Sequence, residues 1–309
     1  MSTKSISAKR RDSRLGDRIF DFSNYVFMIM LIVVTLYPFI NMLAISLNDA
    51  NDSIRGGIFL KPRVFTWYNY EYVFKEASIF HATLVSVLRT VLGTVICVFC
   101  SAMVAYTISR QEFVLRKFVT IAFVLTMYFN GGLIPNYLLI KELHLLNSFW
   151  VYIIPGMVGV FNVIVIRSFI EGLPEGILES ARMDGCGEFA TFMRIVLPLC
   201  TPVLATVSLF VAVWQWNSWF DVFLYNSSNI DLSTLQYELM KILQSSNASM
   251  SQKSAADVFS NVAGQTTNQV TPLAVRATMT IVASLPIIAV YPFLQKYFVK
   301  GMTLGGIKG

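Results

Sequence analysis

Residues Phe80 to Ile108 read FHATLVSVLRTVLGTVICVFCSAMVAYTI, a run in which Arg89 is the only charge. A helix crosses the hydrocarbon of a bilayer with about 20 predominantly apolar residues, and this run exceeds that length. Working outward, five more blocks of the same kind follow: Asn24–Leu47, Phe118–Ile140, Phe149–Phe169, Leu199–Leu224 and Ala277–Val299. The period-2 alternation that a membrane barrel requires is absent. Helices satisfy every backbone N–H and C=O internally, as lipid demands. The expected fold is therefore all-α, a polytopic membrane protein with six transmembrane helices. Composition agrees, since 55% of the 309 residues are hydrophobic and only 14% charged, with a mean hydropathy of +0.60. A soluble domain carries about 25% charged residues.

Basic residues precede the first block, and Ala44-Ile45-Ser46 resembles a signal-peptide cleavage site. The block is nevertheless too long for a signal core of about 7–15 residues. It reads as an uncleaved first span, peripheral to a working unit built from spans two to six. Lys and Arg concentrate in four regions. These are the N-terminal arm (Lys4, Lys9, Arg10, Arg11, Arg14, Arg18), the turn after span two (Arg110, Arg116, Lys117), the stretch between spans four and five (Arg167, Arg182, Arg194) and the C-terminus (Lys296, Lys300, Lys308). Such regions face the cytoplasm by the positive-inside bias. Both termini are thus expected there, with a cytoplasmic arm at 1–23 and a transmembrane domain at 24–309. The net charge of +6 follows from this bias, so no nucleic-acid partner is invoked. Cys97 and Cys100 form a CxxC, but inside an apolar helix without neighbouring His, which favours packing over metal or redox chemistry.

Two connections are long. Residues 48–79, with Gly56-Gly57, Pro62 and several aromatics, are expected on the outer face. Residues 225–275, rich in Ser, Asn and Gln, form a long external loop, either placed to meet a delivered ligand or partner, or simply mobile and solvated.

The segment 170–198, expected at the cytoplasmic face, carries the function. It contains Leu173-Pro174-Glu175-Gly176-Ile177-Leu178-Glu179-Ser180-Ala181-Arg182-Met183-Asp184-Gly185-Cys186-Gly187-Glu188-Phe189 and runs on to Ile195-Val196-Leu197-Pro198. Pro174 suits a first helical turn, and Glu175 and Glu179 favour a helix N-terminus. Ile177, Leu178 and Ala181 give a narrow apolar face, and Gly185 can adopt φ > 0 to end the helix. A second amphipathic run carries Phe189, Phe192, Met193 and Ile195. The reading is a helical hairpin with a glycine turn.

These residues resemble the signature of binding-protein-dependent ABC permeases, E-A-A-x-x-x-G-x9-I-x-L-P. Glu179-Ser180-Ala181, Gly185, Ile195, Leu197 and Pro198 match it at every spacing, with Ser180 the single, small-for-small departure. Ala181-Arg182-Met183-Asp184-Gly185-Cys186 is similar to the pattern of the carbohydrate branch. Ala105-Tyr106 with Ser109-Arg110 is similar to maltose-type permeases. Gly131-Gly132-Leu133-Ile134-Pro135, Trp216-Asn217-Ser218-Trp219-Phe220-Asp221 and Tyr291-Pro292-Phe293-Leu294-Gln295-Lys296-Tyr297-Phe298-Val299-Lys300-Gly301 resemble a polysaccharide and multiple-sugar subgroup. The resemblance runs from span two to the C-terminus. It implies a coupling-helix hairpin seated in a partner ATPase, with Glu175, Glu179, Ala181, Asp184, Gly185, Ile195, Leu197 and Pro198 as the ATPase-coupling residues and Glu179 the ionic contact. It also implies a second homologous permease subunit, two ATPase subunits, an extracellular solute-binding protein, a sugar substrate and a place in the bacterial cell membrane. No P-loop is present, so ATP and Mg would be bound by the ATPase and this chain would carry no cofactor.

Weaker signals concern the substrate path. Arg89, a cation inside a span, either lines the path or pairs with the partner subunit. Trp216, Trp219, Phe220 and Phe223 recur at i, i+3, i+4 and i+7, one face of a continuous span five, serving sugar contact or interfacial anchoring. Asn217 and Asp221 stand beside them, and Asn130 is a further path candidate. Gly131, Gly132 and Pro135 are expected to break or kink span three. Two other classes compete. A secondary transporter would need an ion-coupling carboxylate within its spans, whereas Asp221 lies at an end. A membrane enzyme would need convergent catalytic groups, and His81 and His144 are the only histidines. Within the class, a permease for peptides or amino acids is the alternative.

Overall fold

The computed structural model of the chain describes residues 9–75, 77–252 and 271–305. Lys4, Lys308 and part of the 225–275 connection lie outside the described residues, as do the side chains of 1–15, 76–77, 245–270, 291 and 293–309, and with them most of the Tyr291–Gly301 motif. The described residues are helical, with one isolated bridge pair, Asn48 opposite Phe65. They fall into two compact units, residues up to Val73 with the last helix as far as Ile281, and Phe74–Gln252 with Val282 onward.

The first unit opens with α1, Lys9–Ser46, whose most apolar stretch buries nothing inside this chain. The chain then turns on Asn48, which is fully buried. Its Oδ1 accepts from the N–H groups of Arg63 and Val64 at 2.7 and 2.8 Å, and its Nδ2 donates to Asp52 and Ser53. Asp49 caps α2, Ala50–Ile54, by accepting from Asn51 and Asp52. At the start of α3, Tyr68–Lys75, Asn69 donates to the carbonyls of Ser46 and Asn48 at 3.0 and 2.8 Å. The connection expected only as a loop is thus a folded element, because two asparagine amides do the work of a backbone ladder.

The second unit is organised on α4, Ala77–Ser109, which realises the Phe80–Ile108 block as one helix. Its buried positions are mostly small, Ala82, Ser86, Cys97, Ser101, Ala102 and Ala105. Small residues allow close helix approach where lipid removes the usual hydrophobic drive. Val163, Ile166 and Ile170 of α7 (Val160–Ile170) and Val203, Val207 and Val211 of α11 (Thr201–Asn217) close the core against it.

Among the described residues three helices are long and apolar enough to cross a bilayer, and counting each of three bent pairs as one crossing gives six. In span three, α5 (Arg116–Tyr128) and α6 (Leu133–Glu142) meet at 120° across Gly132, as the glycines lead one to expect. In span four, two 3-10 turns at Phe149–Gly156 precede α7 with a 48° bend at the break between Gly156 and Val160. In span five, the chain passes from α8 (Glu175–Met183) through α9 (Glu188–Thr191), a π-helical turn at Phe192–Val196 and α10 (Leu197–Leu199), then bends by 81° into α11. Pro198 and Pro202 flank that bend and explain it.

The continuous helix expected over Leu199–Leu224 is not formed. α11 ends at Asn217 and a separate α12 covers Phe220–Tyr225. The 225–275 connection is also more ordered than expected, since α13 spans Leu235–Gln252. Leu235, Leu239, Met240, Ile242 and Leu243 carried that signal at helical spacing, masked by the polar residues around them. The last helix, α14, covers Pro272–Gly305, with Thr271 accepting from the N–H of Ala274 at its start.

Gly132 has φ 89° and ψ 171°, a region open essentially to glycine alone. Gly132→Ala is expected to destabilise the purified protein by about 1–3 kcal/mol. A thermal unfolding midpoint equal to that of the wild type would show that the bend in span three does not depend on this residue.

Candidate functional site: a charged hairpin and a buried arginine

The hairpin forms as the spacing suggests. Pro174 stands at the N-cap of α8, one position ahead of the expected first turn, with Glu175 in the first turn. Ala181 is buried and Leu178 packs against the core, so the narrow apolar face points inward. At the C-terminus the N–H of Cys186 bonds the carbonyl of Ala181 at 3.0 Å, and that of Gly185 bonds Arg182 at 2.9 Å. With Gly185 at φ 75° this is a Schellman ending. Asp184 is the exposed C-cap residue. Glu179 and Pro198 are exposed, and Ile195 and Leu197 are half-buried. Met183 and Phe189 leave large apolar side chains in the open, 88% and 63% exposed.

Charged contacts whose partners are not legible in the amino-acid order tie this hairpin to the end of α4. Arg182 donates to Glu112, in the turn between α4 and α5, and to Glu188 of α9 at 3.1 Å. Tyr106 of α4 donates its hydroxyl to the other Glu188 oxygen at 2.6 Å. Arg110 lies 3.7 Å from that carboxylate, with its guanidinium over the Tyr106 ring. Gln111 donates to Glu175, and Glu171 pairs with Arg167 at 2.9 Å and with Arg116 at 3.6 Å. Arg110, Gln111, Glu112, Glu171, Glu175 and Arg182 line a cleft of about 360 Å³ between the α4–α5 turn and α8, and Glu179 lines it too. The Arg182 hydrogen bond, helped by a backbone N–H, holds the Glu112 carboxyl down at about 2, and the same contact raises Arg182.

The path candidates separate. Arg89 is wholly buried and points into its own chain. Its Nε donates to Gln215 at 2.8 Å, Nη1 to Asp221 at 3.1 Å and to the carbonyl of Ser218 at 3.3 Å, and Nη2 to the second Asp221 oxygen. Its face lies 4.6 Å from the Tyr152 ring centre. The pairing expected from another subunit is therefore made within this one. Gln215 crosses α4 at Gly93, where a Cβ would stand 2.5 Å from the amide nitrogen.

The break at Ser218 also undoes the single aromatic face. Trp216 is buried and donates to the carbonyl of Ala283 at 2.8 Å, whereas Phe220 and Phe223 are exposed on α12. Trp214, which the periodicity passed over, is the exposed tryptophan of α11. It shares a cleft of about 640 Å³ with Asn217, Trp219 and Phe220. Asn217 is exposed and accepts from Gln236 at 3.3 Å. Asn130 is exposed and accepts from the N–H of Gly132 at 2.9 Å, serving the bend in span three. Cys97 packs in the core. Gln215 was visible in the sequence as a polar residue inside an apolar span. Nothing in the sequence marked Tyr152, and Ser218 stood inside the Trp216–Asp221 motif without a role of its own.

Apolar helices with interrupted crossings and a charged hairpin at one end are the architecture of a polytopic membrane protein. The chain belongs to the family of binding-protein-dependent transport system inner membrane components, whose model matches residues 5–304. It is 34% identical over 297 residues to the polygalacturonan/rhamnogalacturonan transport system permease protein YtcP of Bacillus subtilis (strain 168), covering 96% of this chain and 100% of that one. It is 30% identical to the arabinooligosaccharides transport system permease protein AraQ of the same organism, covering 92% and 94%. Its fold is similar to a chain in the crystal structure of a bacterial ABC transporter involved in the import of the acidic polysaccharide alginate. That match has a TM-score of 0.80 and 26% identity and covers 96% and 100% of the two chains.

Glu112 has a depressed folded-state pKa, so the stabilisation from its ionised form is complete above its ordinary value of 4.5 and is lost as pH falls towards about 2. The difference in melting temperature between wild type and Glu112→Gln is expected to hold steady down to about pH 5 and to shrink below it. A difference unchanged at about pH 3, or absent at neutral pH, would contradict the Arg182 pairing.

Proposed function

We propose that this chain is the sugar-translocating permease half of an ATP-driven importer in the bacterial cell membrane, carrying saccharides derived from oligo- or polysaccharides. The observation that carries the reading is the hairpin. The Glu179-to-Pro198 spacing of the family folds into two short helices around Gly185, with Glu179, Met183 and Phe189 presented outward. An exposed carboxylate beside exposed apolar side chains suits a cleft on a partner protein. The names of the three relatives described above, which concern poly- or oligosaccharides, support the substrate class.

The partner is an ATPase subunit, present twice, which binds ATP and Mg. This chain contributes Glu175, Glu179, Asp184, Gly185, Ile195, Leu197 and Pro198 to the coupling surface within 170–198, while Ala181, expected with them, is buried and seats the hairpin on its own core. A second, homologous permease completes the path, and an extracellular solute-binding protein delivers the sugar. The basic end, with Arg110, Arg116, Arg167 and Arg182, faces the cytoplasm together with both termini, and the 225–275 connection faces out. Closure of the ATPase pair moves the hairpin. Because Arg182 and Glu188 bind it to α4, the movement passes to the spans and alternates their access. A peptide or amino-acid permease would share the hairpin, but the similarity to saccharide permeases extends over nearly the whole chain.

Affinity purification of the tagged chain from native membranes is expected to recover a second permease, an ATPase and a solute receptor. Glu179→Arg should lower saccharide uptake about tenfold at matched expression, as loss of a charged interface contact does. A chain that purifies alone, with uptake indifferent to Glu179, would overturn the reading.

A further inference from the structure

The elbow between α11 and α12 follows the last residue of the fifth crossing, and there the carbonyl of Ser218 leaves the helical ladder and needs another donor. Ser218 is extended there, with φ −74° and ψ 126°. The donor that meets its carbonyl is Arg89, at 3.3 Å. The same guanidinium grips Asp221 just beyond the elbow and Gln215 just before it. Asp221 in turn accepts from the Ser218 hydroxyl at 3.1 Å and the Val222 N–H at 3.0 Å. One cation on α4 therefore holds both limbs of the break. Being wholly buried, Arg89 does not reach the open cleft. Of the residues it holds, Ser218 does line that cleft, together with its chain neighbours Asn217, Trp219 and Phe220 and with Trp214.

We infer that Arg89 and Asp221 are a positioning pair for the transported saccharide. They fix the elbow at Ser218 and so decide where the Asn217 amide and the Trp219 and Phe220 rings stand, without touching the solute. The chemistry fits the substrate class, because aromatic faces stack on the C–H faces of sugar rings and an amide bonds their hydroxyls. The inference rests on the saccharide-permease reading for what enters the cleft, but not for the elbow itself. Arg89 is hard to replace, since lysine has no planar fork with which to reach Asp221, Gln215 and Ser218 at once. Asp221→Asn keeps the shape but leaves a buried cation uncompensated.

Two readouts test this on the complete transporter. In uptake kinetics, Arg89→Lys and Asp221→Asn should each raise KM about tenfold while the maximal rate stays within about twofold at matched complex levels. The exchanged pair, Arg89→Asp with Asp221→Arg, should bring KM part of the way back. The second readout is maleimide labelling of an Asn217→Cys variant in which the natural Cys97, Cys100, Cys186 and Cys200 have been replaced. Labelling should speed up about tenfold when Asp221→Asn is added, as expected for a loosened elbow. Unchanged labelling, or a lower maximal rate with normal KM, would overturn the inference. So would loss of the complex in every variant, the exchanged pair included, since that marks a purely structural pair. Faster labelling in a complex whose wild type carries no saccharide would uphold the elbow's dependence on the pair and count against the saccharide reading instead.

Discussion

A chain that leaves its helical path inside a bilayer must supply, from its own side chains, every donor and acceptor that water would otherwise provide. Counting each bent pair as one crossing, the described residues interrupt three of six, and much of the polar interior answers that constraint. At the elbow after α11, just beyond the fifth, a single arginine meets the same need. Arg89 caps the freed carbonyl of Ser218, neutralises Asp221 and orders Gln215, so that one buried charge is compensated while the irregular backbone is satisfied. Elsewhere smaller devices suffice. Asn130 closes the turn before Gly132, and the Ser101 hydroxyl of α4 accepts from the N–H of Gly159 at 3.3 Å.

The other end of the second unit follows a different logic. Its charges are exposed or half-exposed, and individual surface ion pairs are worth little, about 0–1 kcal/mol each. Their value is geometric. Glu112, Arg182, Glu188, Tyr106 and Arg110 join the α4 terminus, the α4–α5 turn and both arms of the hairpin in one network. A partner that pushes on α8 therefore pushes on the central helix of the unit. The π-helical turn at Phe192–Val196 sets Phe192 against Phe99 and Tyr106, which adds an aromatic contact to the charged one.

Much of this was legible in the amino-acid order. The apolar blocks predicted the crossings, the glycines of span three predicted its bend, and the spacing from Glu179 to Pro198 predicted a hairpin that the structure closes through Gly185. The failures share one cause. Periodicity assumes a continuous helix, and in span five the helix stops at Asn217. Trp216 and Phe220, read as neighbours on one face, are separated into a buried tryptophan and an exposed ring, and Trp214 takes the exposed place. The folded Asn48 connection was missed because asparagine signals a turn without saying which backbone groups it will reach.

The sequence by itself determined a helical membrane protein, its approximate crossings, its family and the local form of its hairpin, because burial in lipid and helix termination are read over a few consecutive residues. Tertiary structure alone decided which polar groups meet. Arg89 and Asp221 are 132 residues apart, and Arg182 and Glu112 are 70 apart. A charge in a sequence has a sign and a reach, but its partner is chosen only when the helices pack and the bilayer removes water as the alternative.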